Sequence, residues 1–297
     1  MVAPAHETIV GTGEPRSLRS GRPVWFVVVA GLLSAAGCQT QSANPFIAAA
    51  VDPDTGSSVN IGSLSTVIAK NPTDANGYNV RGTAYGKAGK LREAIADFDT
   101  AIKLNPSFYQ AYANRALVER RLGRDSDALN DYNRALQINP SYDVAYIGRG
   151  NIYRQNKRAD LALADFNQAI TLQTADPRAY HNRGLIYQAN GQHQESIRDF
   201  GKAISISPSA AEPFEARGLS YLAIGDYKAA LDDFNEALKR NRDSYVAWTN
   251  QGLALEKLGD RERAFAAFAK AANLNPNYGP AKEGMHRTAP GTQPRTT

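Results

Sequence analysis

Cysteine is almost absent from this sequence, because the chain of 297 residues contains only Cys38. One thiol cannot form a disulfide within the chain, so no disulfide framework holds the fold. Histidine is scarce too, and the spacing of the four (His6, His181, His193 and His286) does not suggest a metal site. The sequence has no glycine-rich phosphate loop and no serine or cysteine in a nucleophile motif. These absences argue against an enzyme, a cofactor and a small-molecule substrate.

Charge of one sign is also not in strong excess. The chain has 34 lysines and arginines against 29 aspartates and glutamates, a formal net charge of +5, and the basic residues are spread along the chain without blocks. Nucleic-acid-binding domains usually carry a basic patch or stripe. We therefore expect no nucleic-acid partner. An apolar fraction of 42% is ordinary for a soluble globular protein of one or two domains.

Long hydrophobic runs are limited to VWFVVVAGLLSAAG, residues 24–37. This run is shorter than the roughly 20 residues that a membrane-spanning helix needs. Arg16, Arg19 and Arg22 precede it, and small residues end it. A basic segment, a short apolar segment and small residues at its end are typical of a secretory signal. The sequence therefore predicts a signal peptide at residues 1–37.

The one cysteine follows this run directly, in the stretch LSAAGC. That stretch resembles the lipobox of bacterial lipoproteins, in which the cysteine is lipidated and becomes the first residue of the mature protein. The resemblance implies a lipid anchor such as palmitate at Cys38, followed by a flexible tether at residues 38–59. Gln39, in place of aspartate, implies an anchor in the outer membrane. We expect the protein to face the periplasm there, and a surface-exposed orientation is the alternative. A plain signal peptide followed by a free thiol is the alternative.

A pattern of 34 residues returns six times between Ala75 and Tyr278 without an insertion. The copies are residues 75–108, 109–142, 143–176, 177–210, 211–244 and 245–278. Each has an aromatic residue, a small residue four positions later, a second small residue twelve positions after that, and a second aromatic four positions further. In the fourth copy these are Tyr180, Gly184, Ser196 and Phe200. The period and these marker residues closely resemble the tetratricopeptide-repeat family.

The resemblance implies an all-α fold, a right-handed α-solenoid of six helix pairs. Each pair consists of two short amphipathic helices that are too short to be stable alone, so neighbouring repeats must stack to bury a continuous core. Residues 60–74 match only the second half of a repeat and predict an N-terminal capping helix. Residues 279–297 predict a short C-terminal cap and a disordered tail. Lys157 replaces a turn glycine in the third copy, which predicts some strain there.

Two charged positions recur on stripes that should be buried. Five repeats carry an arginine before the small residue of the first helix and an aspartate before the aromatic of the second. The pairs are Arg81 and Asp97, Arg115 and Asp131, Arg149 and Asp165, Arg183 and Asp199, and Arg217 and Asp233. The sixth repeat has Gln251 and Ala267 and so lacks both charges. We therefore predict structural ion pairs, within a repeat or between neighbours. A row of arginines for an anionic ligand is the alternative.

In the resembled family the first helices line a concave groove, which is the usual place for peptide ligands. Helical spacing predicts a polar groove face, basic in the middle of the array and more acidic toward its C-terminal end. The candidate groove residues are Asn79, Asn114, Arg120, Arg121, Asn151, Arg154, Arg178, His181, Asn182 and Gln188. A carboxylate clamp of the kind known in the family is incomplete here, because Ile147, Glu212 and Ala216 occupy three of its slots. A solvated helix face without a ligand is the alternative reading.

The signal and the repeats together resemble bacterial tetratricopeptide-repeat outer-membrane lipoproteins of the NlpI kind. That resemblance implies a non-catalytic adaptor in the cell envelope that binds proteins or extended peptides, such as an envelope protease or a peptidoglycan enzyme. A structural lipoprotein for pilus or envelope assembly, which would act by self-association, is the other reading that the sequence leaves open.

Overall fold

The computed structural model describes residues 56–291, and fourteen helices run through this part of the chain. They are α1 (Ser58–Lys70), α2 (Ala75–Lys87), α3 (Leu91–Leu104), α4 (Tyr109–Arg121), α5 (Asp125–Ile138), α6 (Asp143–Gln155), α7 (Ala159–Thr171), α8 (Pro177–Ala189), α9 (His193–Ile206), α10 (Glu212–Ala223), α11 (Tyr227–Arg240), α12 (Tyr245–Lys257), α13 (Arg261–Leu274) and α14 (Gly279–Thr288). The described residues contain no strand. The predicted signal peptide, Cys38 and most of the tether lie outside them.

The helices pack in chain order as six pairs, α2 with α3 through α12 with α13, and each pair stacks on the next. The first helices of neighbouring repeats also touch one another, as α4 touches α6, whereas the second helices approach less closely. The first helices therefore form the inner layer of the array and the second helices the outer layer. The predicted all-α solenoid of six helix pairs with a capping helix at each end is confirmed.

Close packing within a repeat depends on the small residue of the first helix. At Gly184 an added Cβ would lie 2.8 Å from a ring carbon of Phe200, which is shorter than side-chain contacts allow. Gly82, Gly218 and Gly252 hold a phenylalanine ring in the same way. The rings of these phenylalanines are fully buried, so each helix pair closes on an aromatic core.

The turn inside each repeat needs one residue with positive φ. Gly89, Gly123 and Gly191 take this conformation with φ near 75°. Lys157 takes it in the third repeat with φ 58°, and its turn keeps the hydrogen bond from Arg158 N to Tyr153 O at 2.8 Å. A side chain in the left-handed region costs about 1–2 kcal/mol. The turn is therefore formed as in the other repeats, with local backbone strain.

The two ends of the array are covered by single helices. α1 begins at Ser58, inside the segment assigned to the tether, because the Ser57 side chain caps it by accepting from Asn60 N at 3.2 Å. It buries Ile61 and Ile68. At the other end α14 packs on α13, and a Cβ on Gly284 would overlap the ring of Phe268. Both caps shield apolar surface that the terminal repeats would otherwise expose.

Candidate functional site

The five arginine–aspartate pairs have one common geometry. In the fourth repeat Arg183 Nε donates to Asp199 Oδ2 and Arg183 Nη2 donates to Asp199 Oδ1, both at 2.7 Å. The same two-point contact joins Arg81 to Asp97, Arg115 to Asp131, Arg149 to Asp165 and Arg217 to Asp233, with distances between 2.7 and 2.9 Å. Each arginine therefore bonds the aspartate of its own repeat, across the two helices.

The remaining guanidinium nitrogen of these arginines reaches back to the preceding second helix. Arg183 Nη1 donates to Asn167 Oδ1 at 2.7 Å. Four of the five arginines make this bond, and the acceptors are Ser65, Asp99, Asn133 and Asn167. For the fifth arginine, Arg217, the equivalent position is Gly201, which has no side chain to accept the bond. One arginine side chain thus ties two helices of its own repeat to the repeat before it.

Burial explains why both charges are needed. The Asp199 side chain keeps 8% of its surface exposed and the Arg183 side chain 19%. The hydrogen bond to Asp165 raises the pKa of Arg149, while burial raises the pKa of Asp165 even beside Arg149. The loss of hydration thus offsets much of the attraction, as expected for a buried pair. Because the aspartates occupy the donors, this geometry favours a packing role over an anion-binding role for these arginines.

Half of the candidate groove residues are used within the solenoid. Asn79 and Asn114 are buried and bond each other between α2 and α4, at 3.0 Å from Nδ2 of Asn114 to Oδ1 of Asn79. Asn182 is buried and donates to the Arg178 carbonyl. Gln188 donates to Ala216 O and Ser220 Oγ, and Arg121 donates to Gly86 O. All of these side chains except Asn182, whose bond lies within α8, join successive first helices, and none of the five is free for a ligand.

The other five candidates come from repeats two, three and four, and three of them line one small cavity. Arg120, Asn151 and Arg178 line a cavity of about 30 Å³ on the inner layer between α4, α6 and α8. A cavity of that volume holds one or two water molecules. Arg178 is held by its neighbour Asp176 through hydrogen bonds of 2.5 to 2.9 Å. The side chains of Arg120 and Arg154 form no hydrogen bond or ion pair with other described residues.

The floor of this cavity includes Tyr132, which sequence reasoning missed. Tyr132 comes from the outer helix α5, and a Cβ on Gly148 of α6 would overlap its ring at Cζ, Cε1 and the hydroxyl oxygen. The other five repeats all have phenylalanine in this slot and glycine in the small slot of the first helix, where the second repeat has Ala116. Within the chain, the joint exception of Ala116, Tyr132 and Gly148 was the available signal.

The electrostatics of this region are set by burial and by the unpaired arginines. Burial raises the pKa of Tyr132 to about 12, and the charges of Arg120 and Arg178 oppose that rise. Burial lowers the pKa of Arg154, and the charge of Arg120 lowers it further. Burial also lowers the pKa of His181; Glu212 opposes this shift, and Arg154 adds to it. The charged groups of this region therefore act on one another.

Two of these side chains keep a buried polar atom without a partner. Nε of Arg154 and Nδ1 of His181 are both buried and make no hydrogen bond among the described residues. Buried polar atoms are nearly always bonded in proteins, to other protein groups or to ordered water, so these two atoms have capacity for a further hydrogen bond. Within the described range there is no cluster of His, Cys, Asp and Glu that could hold a metal ion, and no helix long and apolar enough to cross a membrane.

Three models of one repeat family match this chain. A model described as tetratricopeptide repeat matches residues 79–143 and 215–279, a second described as TPR repeat matches residues 150–191, and a third described as tetratricopeptide repeat matches residues 176–243. Together they cover more than half of the chain. The chain belongs to the tetratricopeptide-repeat family. A comparison with curated protein sequences gives no match.

Solved structures of tetratricopeptide-repeat proteins have the same fold. The APC/C hetero-tetramer Cut9-Hcn1 is 19% identical with a TM-score of 0.66, over 80% of this chain and 47% of that one, so the chain spans about half of that relative. YrrB, described as a TPR protein with an unusual peptide-binding site, is 22% identical with a TM-score of 0.57, over 64% and 97%. PilW, described as a type IV pilus biogenesis factor, is 19% identical with a TM-score of 0.61, over 70% and 97%. Identities this low show the fold alone.

Proposed function

We propose that this tetratricopeptide-repeat protein is a non-catalytic scaffold that binds a protein or an extended peptide on its inner layer. One observation carries the proposal. The array neutralises or bonds most of the charged and amide side chains of its first helices, yet leaves Arg120 and Arg154 unpaired in its middle. Side chains that cannot be explained by packing are the ones available for recognition. The peptide-binding site in the description of YrrB supports this kind of function.

We place the protein, as part of the same proposal, in the bacterial cell envelope. Support comes from the sequence, in which a basic segment and a short apolar run precede Cys38. A lipid anchor at this cysteine and a tether would hold the array at the outer membrane on the periplasmic side. An adaptor for an envelope protease or a peptidoglycan enzyme is a role that suits such an anchor.

A second candidate is a structural role in pilus or envelope assembly. It is favoured by the likeness to PilW, whose alignment covers 97% of that chain. Such a protein would act by self-association through the groove or through the ends of the array. A mass in solution equal to a multiple of the mass of the mature protomer, measured by light scattering, would support this candidate over the adaptor.

Site-directed photo-crosslinking tests the proposed binding face. A photoreactive amino acid at Asn151 lies on the inner layer beside the unpaired arginines, whereas the same group at the exposed Lys202 lies on the outer helix α9. We expect protein crosslinks from position 151 and few from position 202 in intact cells. Equal crosslinking from both positions, or none from position 151, would contradict binding on the inner layer.

The envelope location is tested separately with Cys38→Ala. We expect wild-type protein to incorporate labelled fatty acid and to sediment with outer membranes, and the variant to do neither. Incorporation that persists in Cys38→Ala would refute the anchor while leaving the binding face untouched.

A further inference from the structure

The cavity described above departs from the repeat pattern in three coordinated ways. In the second repeat Ala116 replaces the small glycine, so the aromatic ring of α5 cannot pack as the phenylalanines do. The ring belongs to Tyr132 and lies against Gly148 of the next repeat instead. No other repeat combines these residues. The consequence is that a phenolic hydroxyl from an outer helix takes part in lining a cavity on the inner layer.

The polar groups around this cavity are hydrogen-bond donors or carry positive charge. Arg120 and Arg178 line it together with Tyr132, and Arg154 is close enough for the charge of Arg120 to lower its pKa. Asp176 neutralises Arg178, but Arg120 and Arg154 have no carboxylate bonded to them within the described residues. A tyrosine hydroxyl and guanidinium groups fit a carboxylate, which accepts several hydrogen bonds at once.

The face changes sign toward the C-terminal end of the array. Glu212 and Glu215 lie on α10, the next first helix after α8, and burial raises the pKa of Glu215. An anionic ligand is therefore favoured at α4, α6 and α8 and repelled at α10. A cavity of about 30 Å³ has room for one carboxylate group, so it suits one acidic side chain at a time from an acidic segment.

We propose that Arg120 and the hydroxyl of Tyr132, with the nearby charge of Arg154, form a carboxylate-binding subsite for an acidic segment of the protein partner. This inference rests on the proposed function, since it names the chemistry of the partner at the same inner face. The subsite is distinct from the incomplete carboxylate clamp considered in the sequence, because it uses an outer-helix tyrosine that passes beside Gly148.

Binding of fluorescein-labelled hexaglutamate, measured by fluorescence polarisation, tests the subsite. We expect hexaglutamate to bind the folded protein and hexaglutamine to bind much more weakly. The double variant Arg120→Gln with Arg154→Gln should weaken hexaglutamate binding by about tenfold or more, because one charge-assisted contact and a nearby positive charge are lost. The matched control is Arg92→Gln with Arg134→Gln, which removes the same charge from exposed positions on α3 and α5. It should change binding by less than about twofold, the effect expected of distant, screened charges.

Tyr132→Phe separates the subsite from folding. Phenylalanine fills the same slot in the other five repeats, so this variant should keep the melting temperature and weaken hexaglutamate binding by about threefold, the loss of one hydrogen bond. Absence of hexaglutamate binding, equal losses in the two double variants, or unchanged affinity in Tyr132→Phe would each overturn the subsite. Crosslinks from position 151 that persist in the Arg120→Gln, Arg154→Gln variant would overturn the subsite and leave the scaffold function standing.

Discussion

Repeats five and six lie next to each other and close their helix pairs by different means. In repeat five Arg217 bonds Asp233 at 2.8 Å through two nitrogens. In repeat six Gln251 and Ala267 stand at these places, and an open cleft of about 420 Å³ lies beside them. Gln251 still donates to Asn235 Oδ1 of repeat five at 2.7 Å.

The comparison separates two roles that the arginine combines in the first four repeats. Its Nη1 joins a repeat to the one before it, and its Nε and Nη2 join the two helices of its own repeat. Repeat six keeps the first role through Gln251 and lacks the second, while repeat five keeps the second and meets Gly201 where the first would be made. The two helices of a repeat can therefore pack together without the arginine and the aspartate. A repeat that carries one of these two charged residues needs the other as its partner.

The largest expected effect comes from removing the acid in repeat five. Asp233→Ala leaves the half-buried Arg217 guanidinium without its carboxylate, and we expect a loss of about 3 kcal/mol in the free energy of unfolding. Urea denaturation followed by circular dichroism measures it. The adjacent Asp232 is exposed and makes no bond to Arg217, so Asp232→Ala is a matched control with an expected change within about 0.5 kcal/mol. Similar losses in the two variants would show that Asp233 acts through its helix and not through the pair.

A smaller loss is expected from removing the base in repeat three. Arg149→Ala leaves Asp165 buried, but a carboxyl group can take up a proton, so we expect a loss of about 2 kcal/mol at pH 7. Burial raises the folded-state pKa of Asp165. Arg149 opposes this rise, so its removal raises the pKa of Asp165 further. The penalty should therefore be smallest below about pH 4, the ordinary pKa of aspartate, and should grow with pH until the pH passes the folded-state pKa of Asp165 in the variant.

Adding Asp165→Ala to Arg149→Ala checks the origin of that loss. The double variant buries no unpaired charge, so it should recover more than half of the stability and lose the pH dependence. A double variant as unstable as the sum of both single changes would mean that the two residues do not interact. Urea denaturation at pH 7 and below about pH 4 distinguishes these outcomes.

Sequence reasoning went furthest where the pattern repeats. The 34-residue period predicted the helix pairs and their caps. The ion pairs could be predicted because five repeats carry both Arg and Asp and the sixth carries neither. The sequence predicted less about which side chains of the inner layer are free to bind a ligand. Asn79 and Asn114 sit at polar positions of a helix face, yet they bond each other at 3.0 Å and are buried. Such a bond depends on how far neighbouring repeats rotate against each other, which spacing along one helix does not encode.

The cavity was missed for a related reason. Tyr132 occupies a core slot, so its position in the pattern predicts burial alone. Its hydroxyl takes part in lining the inner cavity because Ala116 displaces the ring and Gly148 makes room for it. Three exceptions in two repeats are visible in the sequence, but their common effect depends on the distance between α5 and α6.

The smallest expected effect is that of building the missing pair into repeat six. Gln251→Arg with Ala267→Asp should change the free energy of unfolding by no more than about 1 kcal/mol, since a buried pair gains little over the neutral residues that it replaces. Each single change should be worse, and Ala267→Asp most of all, because Ala267 is buried and Gln251 stands where the other repeats have the paired arginine. A double-mutant cycle by urea denaturation should give a favourable coupling of about 1–2 kcal/mol. A coupling near zero would show that the helices of repeat six are spaced for Gln251 and Ala267, and that the difference between the two repeats lies in their backbone as well as in two side chains.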